Sequence, residues 1–281
     1  MLTINKVKIP QYLWKKIVKY YEDTYSGVIP QSYAMPDFAK HRLESSLVQM
    51  KRLGSIGVRK DSMCLDAGCG IGTLVTAANL AGYNYYGYEI DPLAKNIAID
   101  MLKANGISTS RIQSTPDISG FKGKRFDFIS SFETVEHVDD FDDYLKKLRK
   151  IIKSDGRLFI ETPNYTIPYE PHFYIFFPPG PNILKWWCCQ LVGRTNKKFF
   201  DELRFVTHKS VELALGKQGF EFENLGLSEW SRQLTSNEIY GRSVYIQFIS
   251  KIIRTLKIIG FPKWLASHGL YTPLVYLSRP R

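Results

Sequence analysis

Residues 65–73 read LDAGCGIGT, three glycines at alternate positions directly behind an apolar run, and few chain geometries accommodate that. Gly68 and Gly70 permit positive φ and close backbone approach, and Gly72 lets a helix pack tightly against a strand. The run SMCLDAG (62–68) reads as a buried strand, and TLVTAANLAG (73–82) has helical spacing with Gly82 as its C-cap. The glycines therefore form a strand–turn–helix joint.

The same alternation continues along the chain. YYGYEI (85–90) is a second strand and PLAKNIAIDMLKANG (92–106) a second helix. RIQST (111–115) and FDFISSF (126–132) read as strands, and DDFDDYLKKLRKIIKSDG (139–156) as a helix with acids first and bases last. RLFIET (157–162) is the next strand, followed after a gap by helix KSVELALGKQG (209–219) and strands FEFENLG (220–226) and PLVYLSR (273–279). Strands alternating with helices of this length predict an α/β fold, a Rossmann-like doubly wound sheet covered on both faces.

The glycine spacing is GxGxG, which is neither the GxGxxG of a dinucleotide fingerprint nor a phosphate loop ending in Gly-Lys. Asp66, just ahead of it, repels a pyrophosphate and suits a cationic ligand. Glu89 in YEID (88–91) sits at the tip of the next strand, where a carboxylate accepts both hydroxyls of a ribose.

Together these stretches resemble the class I S-adenosylmethionine-dependent methyltransferases, over roughly residues 40–228 plus the last strand. LDAGCGIGT is similar to that family's cofactor loop and GYEIDP to its ribose-binding turn. The resemblance implies a seven-stranded sheet whose last strand, PLVYLSR, is antiparallel, and S-adenosyl-L-methionine as cofactor. It assigns Asp66 and Gly68 to the amino-acid part of the cofactor and Glu89 to its ribose, with Cys69, Gly70, Gly72, Thr73 and Ile90 around them. A side chain after the third strand, Thr115 or Asp117, meets the adenine, while Ser131 and Phe132 lie at the end of the fourth strand.

That fourth strand leads into SSFETVEHVDD (130–140), where Glu133, Glu136 and His137 fall at spacing that lets all three face one point. Three readings stay open: helix capping and packing, a general base for an acceptor hydroxyl, or ligation of Mg²⁺, Mn²⁺ or Zn²⁺. ExxEH resembles the metal motif of small-RNA 2′-O-methyltransferases and the equivalent turn of ubiquinone-biosynthesis O-methyltransferases. Those families place a further ligand ahead of the penultimate helix, where this chain has Asp201 and Glu202; His172 is another donor. His208 and the run Trp186-Trp187-Cys188-Cys189 are expected to cap a helix and to cover core, respectively.

The predicted organisation is an N-terminal helical cap (1–60), a core (61–228) with an aromatic, proline-rich lid at 163–205, and a closing segment (229–281). Tyr25 and Tyr33 are expected to close over an acceptor beneath that lid. Residues 1–21 hold five lysines and no acid, and 240–281 hold seven Lys/Arg and no acid, within a net charge of +11. Residues 243–265 read as a basic amphipathic helix suited to an anionic membrane surface. No stretch suggests a membrane span or signal peptide, and the four cysteines form no framework, which predicts a cytoplasmic protein, peripheral at the inner membrane face. The function expected is O-methylation of a small-molecule, glycan or lipid-linked hydroxyl. An RNA 2′-O-methyltransferase and a non-catalytic scaffold are the alternatives. No RNA module or aromatic stacking platform accompanies the basic residues, so nucleic acid is the weaker partner.

Overall fold

Apolar side chains on both faces of consecutive short runs force those runs into the middle of a covered sheet. The computed structural model describes residues 2–4, 6–113, 117–118, 121, 123–229 and 272–281. A small hairpin, β1 (Leu2–Ile4) and β2 (Val7–Ile9), precedes helices α1 (Gln11–Tyr25) and α2 (Met35–Ser55). The alternating unit follows as β3 (Met63–Ala67), α3 (Thr73–Leu80), β4 (Asn84–Tyr88), α4 (Pro92–Ala104), β5 (Phe126–Phe132), α5 (Phe141–Ile151) and β6 (Ile152–Thr162). The insertion contributes β7 (Tyr169–Glu170), β8 (Ile175–Phe176), α6 (Asn182–Leu191) and α7 (Lys197–Glu202). Helix α8 (His208–Lys217) and strands β9 (Phe220–Asn224) and β10 (Leu274–Pro280) complete the order.

The central sheet runs β4-β3-β5-β6-β10-β9, with β10 antiparallel to both neighbours and β3, β4, β5 and β6 parallel. The antiparallel last strand is where the sequence places it. Among the described residues the sheet has six strands rather than the expected seven. RIQST contributes one parallel bridge, Ile112 to Gly87, and Gln113 N–H donates to Gly87 O at 2.9 Å. Ahead of that bridge the chain is tied into a 3₁₀ turn over Thr109–Arg111.

A second difference lies at the α5–β6 junction. The helix stops at Ile151 and the strand already begins at Ile152, so IKSDG is strand and not helix end. Gly156 permits this: a Cβ there would stand 2.8 Å from Phe126 O, and the β5–β6 register shifts between Phe126 and Phe128.

Helices α5 and α8 cover one sheet face through Leu145, Leu148, Val211 and Leu215. Helices α3 and α4 cover the other with Leu74, Val75, Ala98 and Leu102, and Leu53 of α2 packs there too. Helix α1 joins α2 through Leu13, Ile17, Leu43 and Leu47, above Ile71 of the glycine turn. The insertion has its own apolar centre of Phe173, Phe177, Trp186, Cys189, Phe199 and Phe200. All four cysteines are free thiols. No helix among the described residues is long and apolar enough to cross a membrane, and the predicted amphipathic helix at 243–265 lies outside those residues.

Candidate active site

At the carboxyl end of the sheet the glycine turn is built by hydrogen bonds to its neighbours. Gly68 and Cys69 both donate their N–H to Tyr88 O at 2.9 Å, which ties the turn to the end of β4. Gly68, Gly70 and Gly72 have φ of 89°, 52° and 76°. A Cβ on Gly72 would lie 2.7 Å from Ala98 Cβ, so this glycine is what allows α3 and α4 to touch. A Cβ on Gly68 would collide with the Thr134 side chain, whereas at Gly70 it would meet open space.

Glu89 is braced by this turn. Gly70 N–H donates to its Oε2 at 2.7 Å and Asp91 N–H to its Oε1 at 2.8 Å. Burial raises its pKa while those N–H groups oppose the rise, so its carboxylate is held in one orientation with lone pairs to spare. Asp66 is 4% exposed and accepts from Ser130 Oγ at 3.0 Å, the same hydroxyl that meets Tyr85 OH at 3.1 Å. Burial pushes the Asp66 carboxyl up to about 7, against the Ser130 hydrogen bond.

A cleft of about 990 Å³ begins at this turn. Asp66, Gly68, Cys69, Gly70, Thr73, Glu89, Ile90 and Phe132 line it. Ser131 is fully buried and spends its hydroxyl on Tyr144 OH at 2.9 Å. Asp117 is exposed, and its neighbour Ile118 is the side chain that reaches the cleft wall; Thr115 lies outside the described residues.

The acidic cluster forms the opposite wall. Strand β5 ends at Phe132, Glu133 takes a left-handed φ of 47°, and a 3₁₀ turn runs over Val135–His137. That reversal separates the three ionisable side chains. Glu133 turns to Arg42 of α2, whose Nη1 donates to Glu133 Oε2 at 2.7 Å. Burial raises the Glu133 carboxyl, but Arg42 and then His172 outweigh it and leave the pKa below the ordinary value. Glu136 turns inward and is fully buried, accepting from Thr162 Oγ1 at 2.9 Å, while its Oε1 has no hydrogen-bond partner among the described residues. Burial pushes its pKa up to about 7. His137 faces the cleft.

One donor atom from each of Glu136, His137 and His172 lies within 4.8 Å of the others, a grouping able to hold a metal ion. The fit is chemical as well as geometric, because a buried carboxylate and two imidazoles converge there. Glu133 stands apart with Arg42. Glu202 lies on the cleft rim, 4.0 Å from Lys198, and Asp201 pairs with Lys197. His208 opens α8, its Nδ1 3.3 Å from Thr166 Oγ1. Tyr25 lines the cleft between Phe38 and Phe199, with ring centroids at 4.9 and 5.3 Å. Tyr33 packs on Tyr174 at 5.6 Å. Trp186 is buried in the insertion and Trp187 is exposed.

Arg42, Thr134, Thr162 and Glu170 carry much of this geometry and escaped the sequence reading. Arg42 sits among ordinary helix residues, so nothing local marks it, whereas Glu170 stands in the same EPHF stretch as His172.

The methyltransferase-domain family profile matches residues 40–225. The ubiquinone biosynthesis O-methyltransferase of Pelagibacter ubique is 31% identical over 189 residues, covering 66% of this chain and 75% of that protein. The same-named protein of Azorhizobium caulinodans is 28% identical over 163 residues, which is 57% of this chain and 59% of that one. Among solved structures, geranyl diphosphate C-methyltransferase from Streptomyces coelicolor, in complex with Mg²⁺, geranyl diphosphate and S-adenosyl-L-homocysteine, aligns over 98% of this chain and all of its own. The TM-score is 0.51 at 17% identity, a likeness of fold.

Proposed function

This chain belongs to the class I S-adenosyl-L-methionine-dependent methyltransferase superfamily, and on that premise we propose that it methylates a hydroxyl oxygen of a small-molecule, glycan or lipid-linked acceptor. The observation that carries the reading is the single cleft that joins the Glu89-braced glycine turn to the Glu133–His137 wall. Its volume is at the upper end for one ligand and leaves room for cofactor and acceptor together. That the two sequence relatives from Pelagibacter ubique and Azorhizobium caulinodans are O-methyltransferases supports oxygen as the atom methylated.

In this reading Glu89 accepts the ribose hydroxyls, the glycine turn admits the cofactor against its backbone, and Asp66 faces the cofactor's cationic amino-acid end. Transfer breaks the sulfonium carbon–sulfur bond as the acceptor oxygen forms a bond to the same carbon, and the hydroxyl proton must leave. The chain's contribution is alignment and removal of that proton. His137 faces the cleft, where its imidazole would accept that proton in the absence of a metal and would be a ligand in its presence. Glu136, His137 and His172 would hold a divalent metal. Such a metal lowers the pKa of an acceptor hydroxyl so that it ionises near neutral pH. Tyr25 and Phe199 form an aromatic wall suited to a flat or ring-shaped acceptor.

The acceptor's lipid character is supported by α6, which leaves Ile183, Leu184, Trp187 and Leu191 exposed beside Lys197 and Lys198. An exposed apolar helix face of this kind suits contact with a bilayer surface. The reaction is tested with methyl-labelled S-adenosylmethionine against hydroxylated polyprenyl phenols, glycans and RNA. We expect label in an O–CH₃ group of the first or second class. Label found only on nitrogen or carbon, or only in RNA ribose, contradicts the reading.

A further inference from the structure

The hairpin of β7 and β8 places a carboxylate behind the cluster, out of reach of any acceptor. Glu170 is fully buried and saturated by three donors. His172 Nδ1 lies 2.7 Å and the Tyr165 hydroxyl 3.0 Å from its Oε1, and Phe173 N–H donates to its Oε2 at 2.6 Å. The backbone N–H and the phenol fix the carboxylate, and the carboxylate accepts from the imidazole. That pairing keeps a proton on Nδ1, so in the neutral ring, the form that binds a metal, Nε2 carries the lone pair. The ring is wedged against His137 and Phe199, with centroids at 5.6 and 5.4 Å. Glu136 Oε1 is buried without a partner among the described residues, and donor atoms of Glu136, His137 and His172 all lie within 4.8 Å. A buried carboxylate oxygen lacking any donor is costly unless the group takes a proton or a cation occupies the space before it.

We propose that the insertion completes a metal site: His172 binds through Nε2, and Glu170 is the positioning residue that fixes its tautomer and ring orientation. The inference rests on the metal-assisted reading above and sharpens it. Glu133 is committed to Arg42, so the ligand set is two imidazoles and one carboxylate. Two nitrogen donors favour a first-row transition dication, Zn²⁺ or Mn²⁺, over Mg²⁺, which takes oxygen and keeps its waters. Three protein ligands leave a position open for an acceptor oxygen.

The test is calorimetric titration of the chelator-stripped full chain with Zn²⁺, together with imidazole nitrogen NMR of His172 and a separate titration with S-adenosylmethionine. We expect one Zn²⁺ per chain, and a Zn²⁺-dependent shift at His172 Nε2 with Nδ1 still protonated. Glu170→Gln should weaken Zn²⁺ binding roughly 10- to 100-fold with cofactor affinity unchanged. Tyr165→Phe, which removes one of the three donors to the carboxylate, should weaken it less. Wild-type Zn²⁺ affinity in a folded Glu170→Gln chain, or metal on Nδ1, overturns the role given to Glu170. The nitrogen NMR is read on the wild-type chain, so it decides even where the variant fails to fold. A wild-type chain that binds S-adenosylmethionine but neither Zn²⁺ nor Mn²⁺ overturns the metal site itself and leaves the methyltransferase assignment standing.

Discussion

Asp66 is placed where ionising it is costly, at the base of a cleft and screened from water by β3 and β5. Burial raises its pKa to about 7, so near neutral pH the free protein holds it partly protonated. Only the ionised form attracts a cationic cofactor. Lowering pH through 7 therefore weakens cofactor binding, by up to about tenfold for each pH unit below the pKa. Titrations between pH 5.5 and 8 should show that slope, and Asp66→Asn should flatten it while binding more weakly at pH 8. A wild-type affinity constant across that range would remove Asp66 from cofactor recognition. At this scale part of the site was legible beforehand. Asp66, Glu89 and the glycines stand in contiguous motifs whose chemistry is local. Arg42 was not, because its meaning comes from Glu133, 91 positions away, and no short-range pattern encodes that pairing.

The elements are joined by interactions of similarly long range. Arg52 of α2 is buried against Glu161 of β6, with Glu229 at 3.4 Å and its guanidinium over the Phe159 ring. Removing one partner of such a pair strands a charge in the interior, so Arg52→Ala should cost about 3–5 kcal/mol in urea unfolding. Burial already raises Glu161 to about 7 against the pull of Arg52. The loss should accordingly be larger at pH 8, where Glu161 must stay charged, than at pH 6, where it can take a proton. An equal loss at both values would mean that Glu161 is not the group left exposed to that penalty. Helix α6 gives a second prediction. Sedimentation with anionic liposomes at low salt should fall on raising ionic strength and fall at least several-fold in Trp187→Asp, whereas the cofactor titration stays unchanged. No association of the wild-type chain at low salt would withdraw α6 as a membrane face.

At the scale of the whole molecule, periodicity found the alternating core because each strand and helix carries its own pattern of burial. FDFISSF is a strand over the same seven residues in the structure, Phe126–Phe132. The α5–β6 boundary was misplaced because KSDG looks like a helix ending, and only the close approach of Gly156 to β5 turns it into strand. The third strand expected at RIQST is met, among the described residues, as the one parallel bridge of Ile112 to Gly87. What the fold adds is convergence: α2, the glycine turn, the end of β5 and the insertion meet around one cleft from four separate parts of the sequence. Its proposed use is to hold S-adenosylmethionine against the Glu133–His137 wall. The direct measurement is calorimetric titration of the full chain with S-adenosylmethionine, in parallel with Glu89→Ala and Glu136→Gln. The account predicts one site, at least tenfold weaker in Glu89→Ala and unchanged in Glu136→Gln. No binding at millimolar cofactor, or equal binding by Glu89→Ala, would contradict it.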